Sequence, residues 1–141
     1  MILYLDTSAL VKLYVEEAGS IAVSAAVHRA TAVATARITY AEARAAFARH
    51  RRAGGLTPAE LRRVVHQLDE EWGQYSTVEI TDAVVRRAGA LAERHALRAY
   101  DAVQLAAALD MRLAGASIEF SSFDERLNRA ARRERLRMSP H

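Results

Sequence analysis

The 141-residue chain predicts an α/β fold in which a mostly parallel central sheet of four to five short strands carries helices on both faces. Three observations point there. Short apolar runs of strand length alternate with longer segments whose apolar residues recur at helical spacing. Such alternation builds a parallel sheet joined by right-handed crossovers. A chain of this length with 51% hydrophobic residues can bury a sizeable core. No repeat, low-complexity tract or linker interrupts the pattern, so residues 1–141 are expected to form a single domain.

The elements follow in order. Ile2 to Leu5 is an apolar run that stops at Asp6, as a buried strand does. Thr7 or Ser8 then caps a helix carrying Leu10, Val11, Tyr14 and Val15, and after the break at Gly19 a second helix runs through Ile21, Ala25 and His28. Thr31 to Ala36 reads as a strand, and a helix from about Ile38 to Arg52 is closed by Gly54 and Gly55. Thr57, Pro58 and Glu60 form a capping box with proline at the first helical position, opening a helix to about Trp72. Thr77 to Ile80 is a further strand, and Thr81 or Asp82 caps a helix through Val84, Val85, Ala88, Leu91 and Ala92. A helix over Tyr100 to Leu113, a strand over Ile118 to Phe120, a helix from Asp124 to about Arg133 and an edge strand over Leu136 to Met138 complete the chain.

Composition narrows the chemistry. Without cysteine there is neither a disulfide nor a thiolate ligand, so any metal must be held by oxygen or imidazole. No stretch approaches the ~20 unbroken apolar residues of a membrane-spanning helix. The apolar start, Met1 to Leu5, is too short and lacks the basic flank of a secretory signal, so a cytoplasmic location is expected. The net charge of +3 is modest, but Lys12 is the only lysine and the other cations are arginines, whose planar fork suits phosphate and carboxylate. Genome composition accounts for an alanine- and arginine-rich chain equally well.

Four carboxylates stand out. In an open parallel sheet, ligands bind beyond the carboxyl ends of the strands, where the strand order switches direction. Asp6 follows the first strand and Asp124 follows the strand ending at Phe120, although aspartate in such places also caps helices. Glu42 lies four residues after Ile38 and three before Ala45, on the stripe expected to face the core, where a carboxylate is costly unless paired or bound to metal. Asp101 heads the stripe that continues through Leu105 and Ala108, where a negative charge in the first helical turn is the competing explanation. Asp69, Glu70 and Glu71 read as a solvated face, and the five histidines lack metal-binding spacing, with His95 alone kept as a cleft residue. If the four acids converge, their repulsion must be neutralised, and an all-oxygen donor set selects hard cations such as Mg²⁺ or Mn²⁺. Such a site suits phosphodiester hydrolysis by metal-activated water.

The segment Leu5, Asp6, Thr7, Ser8, Ala9, Leu10, Val11, Lys12, Leu13, Tyr14 resembles the opening of a PIN-domain protein. Thr39, Tyr40, Ala41, Glu42 resembles the family's second acidic motif, Leu97 to Ala106 with Tyr100, Asp101 and Ala102 the third, and Phe120 to Leu127 with Ser122 and Asp124 the fourth. Together they cover essentially the whole chain and are similar to the VapC toxins of bacterial toxin–antitoxin pairs. The resemblance implies a PIN-like three-layer α/β/α sandwich, with Asp6, Glu42, Asp101 and Asp124 as metal-binding catalytic acids and Ser8 and Ser122 as hydroxyl supports. Ser122 stands where many relatives carry threonine, and Gln104 where many carry histidine, which leaves that side chain without an inherited role. Further implications are endoribonuclease activity dependent on Mg²⁺ or Mn²⁺ that needs no RNA 2′-hydroxyl, a homodimer, and inhibition by a cognate antitoxin. Leu10, Leu13, Tyr14, Phe47 and Trp72 are the expected partner contacts, although core packing explains most of them as well.

Two other functions compete. A catalytically silent PIN-like module that binds nucleic acid or a partner would be favoured by a missing acid, and none is missing. An aspartyl-phosphate domain would want a second acid close to Asp6, where Thr7 and Ser8 stand instead. Finally, Arg126, Arg129 and Arg133 recur at helical spacing just after Asp124, either as a phosphate track beside the cleft or as a solvated basic face.

Overall fold

A computed structural model describes residues 1–141. Strands β1 (Ile2–Leu5), β2 (Ala32–Ala36), β3 (Ser76–Val78), β4 (Ile118–Ser121) and β5 (Arg137–Met138) form one sheet in the order β3-β2-β1-β4-β5, and every pairing is parallel. The helices between them are α1 (Thr7–Val11), α2 (Ser20–Arg29), α3 (Thr39–Arg52), α4 (Pro58–Glu71), α5 (Asp82–His95), α6 (Ala99–Leu113) and α7 (Glu125–Arg133), with a 3₁₀ turn at Trp72–Gln74.

Successive side chains of a strand point to opposite faces of the sheet, and central β1 shows what this does. Leu3 and Leu5 enter a cluster of 14 buried residues packed under α1 to α4. Tyr4 enters a cluster of 20 on the other face, under α5 to α7. The two clusters are the interiors of a three-layer α/β/α sandwich. The capping box of α4 is present as read, with Glu60 N donating to Thr57 Oγ1 and Thr57 N to Glu60 Oε1.

Several local expectations need correction. The first helix is capped by Asp6, not Thr7 or Ser8, and it ends at Val11, leaving Tyr14 and Val15 beyond it. The expected stripe of the second helix points outward: Ile21 is 88% exposed, and Val23 and Ala26 are buried instead. The phase of this short helix is set by packing on the cluster beneath it, not by its weak periodicity. Val85 is likewise exposed while Val84, Ala88 and Leu91 fill the core. β3 is Ser76–Val78 and not Thr77 to Ile80, because its partner β2 ends at Ala36 opposite Val78 and offers no ladder beyond. Leu10 and Phe47 are fully buried, so of the five apolar residues expected to meet a partner only Leu13, Tyr14 and Trp72 reach the surface.

The sheet order places the functional crevice. The chain moves from β1 outward through β2 to β3, then returns to the other side of β1 as β4 and β5, so the direction switches between β1 and β4. Asp6 and Asp124 leave the carboxyl ends of those two neighbouring strands. The loops beyond them are locked together at Gly19, which adopts φ +95° and approaches the Phe123 ring so closely that a Cβ would stand 2.5 Å from it.

Candidate active site

The residues beyond β1 and β4, with α3 and α6, enclose an open cavity of about 520 Å³ whose lining includes Asp6, Glu42, Asp101 and Asp124. Each acid arrives by a different route. Asp6 and Asp124 are N-caps of α1 and α7, accepting from Ala9 N and Leu127 N at 3.0 and 2.9 Å. Glu42 and Asp101 sit in the first turns of α3 and α6. The face of α3 that fills the core is Thr39, Ala43, Ala46 and Phe47, so Glu42 borders the cavity half-buried and is not a core residue as its stripe suggested.

Asp6 is only 4% exposed and is enclosed by donors. Its Oδ1 accepts from Ser8 Oγ at 2.7 Å and its Oδ2 from Ser122 Oγ at 2.6 Å. These hydroxyls in turn accept from the backbone N–H groups of Phe123 and Asp124 at 2.9 and 3.0 Å. Ser8 and Ser122 therefore orient the carboxylate and tie it to the β4–α7 loop. Burial pushes the Asp6 carboxyl up to about 6, against those hydrogen bonds, and the charge of Asp101 adds to the rise.

A second network, which sequence reasoning did not find, holds Glu42. Gln104 Nε2 donates to Glu42 Oε1 at 2.8 Å, and Thr7 Oγ1 donates to the same oxygen at 2.7 Å. The Gln104 carbonyl accepts from Tyr4 Oη at 2.7 Å, and burial beside Asp6 and Glu42 raises the Tyr4 phenol well above its usual range, so it remains a donor. Gln104 thus runs from the interior of the sheet to a site carboxylate, and its only sequence signal was an amide on the core stripe of α6. Gln104→Leu is expected to lower activity by about 10–100-fold, as when a group supporting a ligand is lost. Leaving the Tyr4 hydroxyl unpaired should also cost about 1–3 kcal/mol in denaturant unfolding.

Asp101 is half-buried. Desolvation raises its carboxyl above the usual range, the nearby charges of Asp124 and Glu42 push the same way, and Arg98 and Arg126 oppose them. These mutual effects are what crowding acids into one pocket produces. No group of three acidic or imidazole side chains is gathered tightly enough to hold an ion by itself. Several carboxylate oxygens are nevertheless free of hydrogen-bond partners: Glu42 Oε2, Asp124 Oδ2 and both oxygens of Asp101. A hard donor set of this kind, loosely spaced, fits a small divalent cation that keeps part of its water shell. Lys12, paired with Glu17 at 2.9 Å, and Arg49 also line the cavity, and sequence reasoning had not placed either there. His95 lies outside this cavity, hydrogen-bonded through Nε2 to Glu134 at 2.7 Å.

Comparisons with known proteins show the family. The family model described as the PIN domain matches residues 3–133. Ribonuclease VapC45 and Ribonuclease VapC49, from two strains of Mycobacterium tuberculosis, are each 37% identical over 139 residues, covering 99% of this chain and 95% of the relative. Among solved structures, FitAcB from Neisseria gonorrhoeae superposes with a TM-score of 0.65 at 20% identity, covering 99% of this chain and 97% of that one. VapBC-1 from nontypeable Haemophilus influenzae superposes at 0.61 and 15% identity, covering 98% and 96%. At those identities the structures speak for the fold.

Proposed function

The chain belongs to the PIN-domain family, and from that premise we propose that it is a metal-dependent endoribonuclease, the toxin of a type II toxin–antitoxin pair. The observation that carries the reading is the meeting of Asp6, Glu42, Asp101 and Asp124 in one cavity at the switch point of the sheet, although they are spread across more than a hundred residues of sequence.

The roles follow from the environments. Asp6, clamped by Ser8 and Ser122, is the fixed carboxylate of the site. Glu42 presents Oε2 while Thr7 and Gln104 hold Oε1. Asp124 presents Oδ2 while Oδ1 caps α7. Asp6, Glu42 and Asp124 would hold a Mg²⁺ or Mn²⁺ ion, which would neutralise charge on an anionic substrate and lower the pKa of a water. Asp101, half-buried and with both oxygens free of hydrogen bonds, lines the same cavity and would complete the donor set or orient the attacking water. A new P–O bond would form to a water oxygen as the bond to the ribose leaving oxygen breaks, the water giving up a proton and the leaving oxygen taking one from solvent, and the ribose 2′-hydroxyl takes no part.

Cognate antitoxin binding, a homodimer and a cytoplasmic location come with the family reading. A groove of about 530 Å³ bordered by Leu13, Tyr14 and the exposed Ile21 is one surface that could receive a partner. The enzymatic reading is tested directly. Purified protein should cut single-stranded or looped RNA with Mn²⁺ or Mg²⁺ and stop when a chelator is added. A folded Asp101→Asn variant should be nearly inactive; equal cleavage by that variant, or cleavage unaffected by chelation, would remove the basis of the mechanism.

A further inference from the structure

Beyond the acidic cavity, α7 carries Arg126, Arg129 and Arg133 at intervals of three and four residues, which places them on one face of the helix. All three are exposed, and none forms an ion pair or a hydrogen bond within the protein. With His95, Ala96 and Ala130 they line a cavity of about 370 Å³ that contains no carboxylate. A neighbouring cavity of about 550 Å³ is shared by Arg126 and Arg129 with Asp101 and Asp124, so the basic surface runs without a break into the acidic site. The His95 ring in that wall is held by Glu134 through Nε2, its side chain is only 5% exposed, and its Nδ1 is buried with no partner.

Three exposed guanidinium groups around one concavity repel one another, opposed at one end by the charge of Asp101 on Arg126, and a bound anion would relieve that repulsion. The face has the chemistry of a phosphate site: several forked donors placed around a concavity, with Glu134 engaged by His95 and Arg94 and the other acids confined to the adjoining cavity. Its position selects the source of the phosphate. From Arg126 to Arg133 the helix rises about 10 Å, starting beside the carboxylates where the reacting phosphodiester must lie, so a strand leaving the acidic cavity meets the arginines in succession.

We infer that Arg126, Arg129 and Arg133, with His95 in the wall, form a subsite for the backbone phosphates of the RNA strand on one side of the cleaved bond. The inference rests on the ribonuclease reading. It assigns a sequence-independent grip, since phosphate contacts set register and strength of binding and not base choice.

The test is binding of a fluorescein-labelled single-stranded RNA by the full chain in chelating buffer, where no cleavage occurs, at several salt concentrations. Each phosphate contact on a single strand contributes about 0.7 to the slope of log affinity against log salt. Arg129→Ala with Arg133→Ala should weaken binding at least ~10-fold and reduce the slope by about 1.4. Arg62→Ala with Arg63→Ala, an equal loss of charge on exposed residues of α4, should leave the slope unchanged. Unchanged affinity and slope in the α7 variant, or an equal drop in the α4 control, overturns the subsite. So does displacement of labelled polyglutamate but not RNA by inorganic polyphosphate, which would make the face a site for an acidic polypeptide. The parent separates the two levels: if it binds RNA with an α7-dependent slope yet never cleaves with Mn²⁺, the catalytic reading fails and the phosphate subsite stands.

Discussion

Asp6→Asn is expected to reduce RNA cleavage by about 10²–10³-fold, the loss typical of removing one group aimed at developing charge, while making the protein more stable in chelating buffer at neutral pH. The two effects share one cause. In the folded protein the Asp6 carboxyl is pushed up from 3.8 to about 6, chiefly by burial. Because the folded value lies above the unfolded one, the sign is opposite to that of a salt-bridged aspartate. Below about pH 3, well under the unfolded value of 3.8, both states hold the proton and Asp6 has little effect. As pH rises toward 6 the unfolded chain ionises first and stability falls; above about 6 the full cost is present. Raising a carboxyl from 3.8 to about 6, with the hydrogen bonds from Ser8 and Ser122 already included, corresponds to roughly 3 kcal/mol. Thermal unfolding should therefore show Asp6→Asn more stable than the parent at pH 7.5, with the advantage shrinking as pH falls through 6 and gone near pH 3. Adding Mn²⁺ should stabilise the parent and have less effect on the variant, since ligand binding raises stability only where the site exists. A variant that is less stable at pH 7.5, or cuts like the parent, would contradict the role given to this residue.

Phe120→Ala is expected to cost about 3–5 kcal/mol of unfolding free energy, a large share of the stability of a domain this size. Phe120 is fully buried in β4, on the larger core face, and stacks on Tyr4 of neighbouring β1 with ring centroids 5.7 Å apart and planes 6° from parallel. Truncation would open a cavity directly beneath Tyr4, whose hydroxyl holds Gln104 and, through it, Glu42. Activity should fall even at temperatures where the variant is folded. Phe120→Leu, which keeps most of the volume, should lose much less stability in urea. If Phe120→Ala unfolds at the parental midpoint, the coupling between the stacked rings and the site is wrong.

Much of the architecture was legible beforehand because its signals are local. The run Ile2–Leu5 ending at Asp6 and the capping box at Thr57 and Glu60 are written in adjacent residues, and both elements appear where expected. The outward face of α2 and the short α1 were not legible, because a helix of one to three turns takes its phase from what it packs on. Glu42 was singled out for a reason that does not hold: it attracted notice as a core carboxylate, yet it lies at the edge of the core where α3 passes the cavity. The role of Gln104 depends on Tyr4, Thr7 and Glu42, which lie 62 to 100 residues away in sequence.

The sequence by itself determined the alternation of strand and helix, the acids available for the site, and the family to which they belong. Periodicity, caps and motifs are properties of neighbouring residues and survive without coordinates. Only the tertiary structure decided that the strand order reverses between β1 and β4, that the acids share one cavity, and that Ser8, Ser122 and Gln104 spend their hydrogen bonds on them. Those facts depend on which strands lie side by side, and strand neighbours are chosen by the burial of two opposite apolar faces across the whole chain.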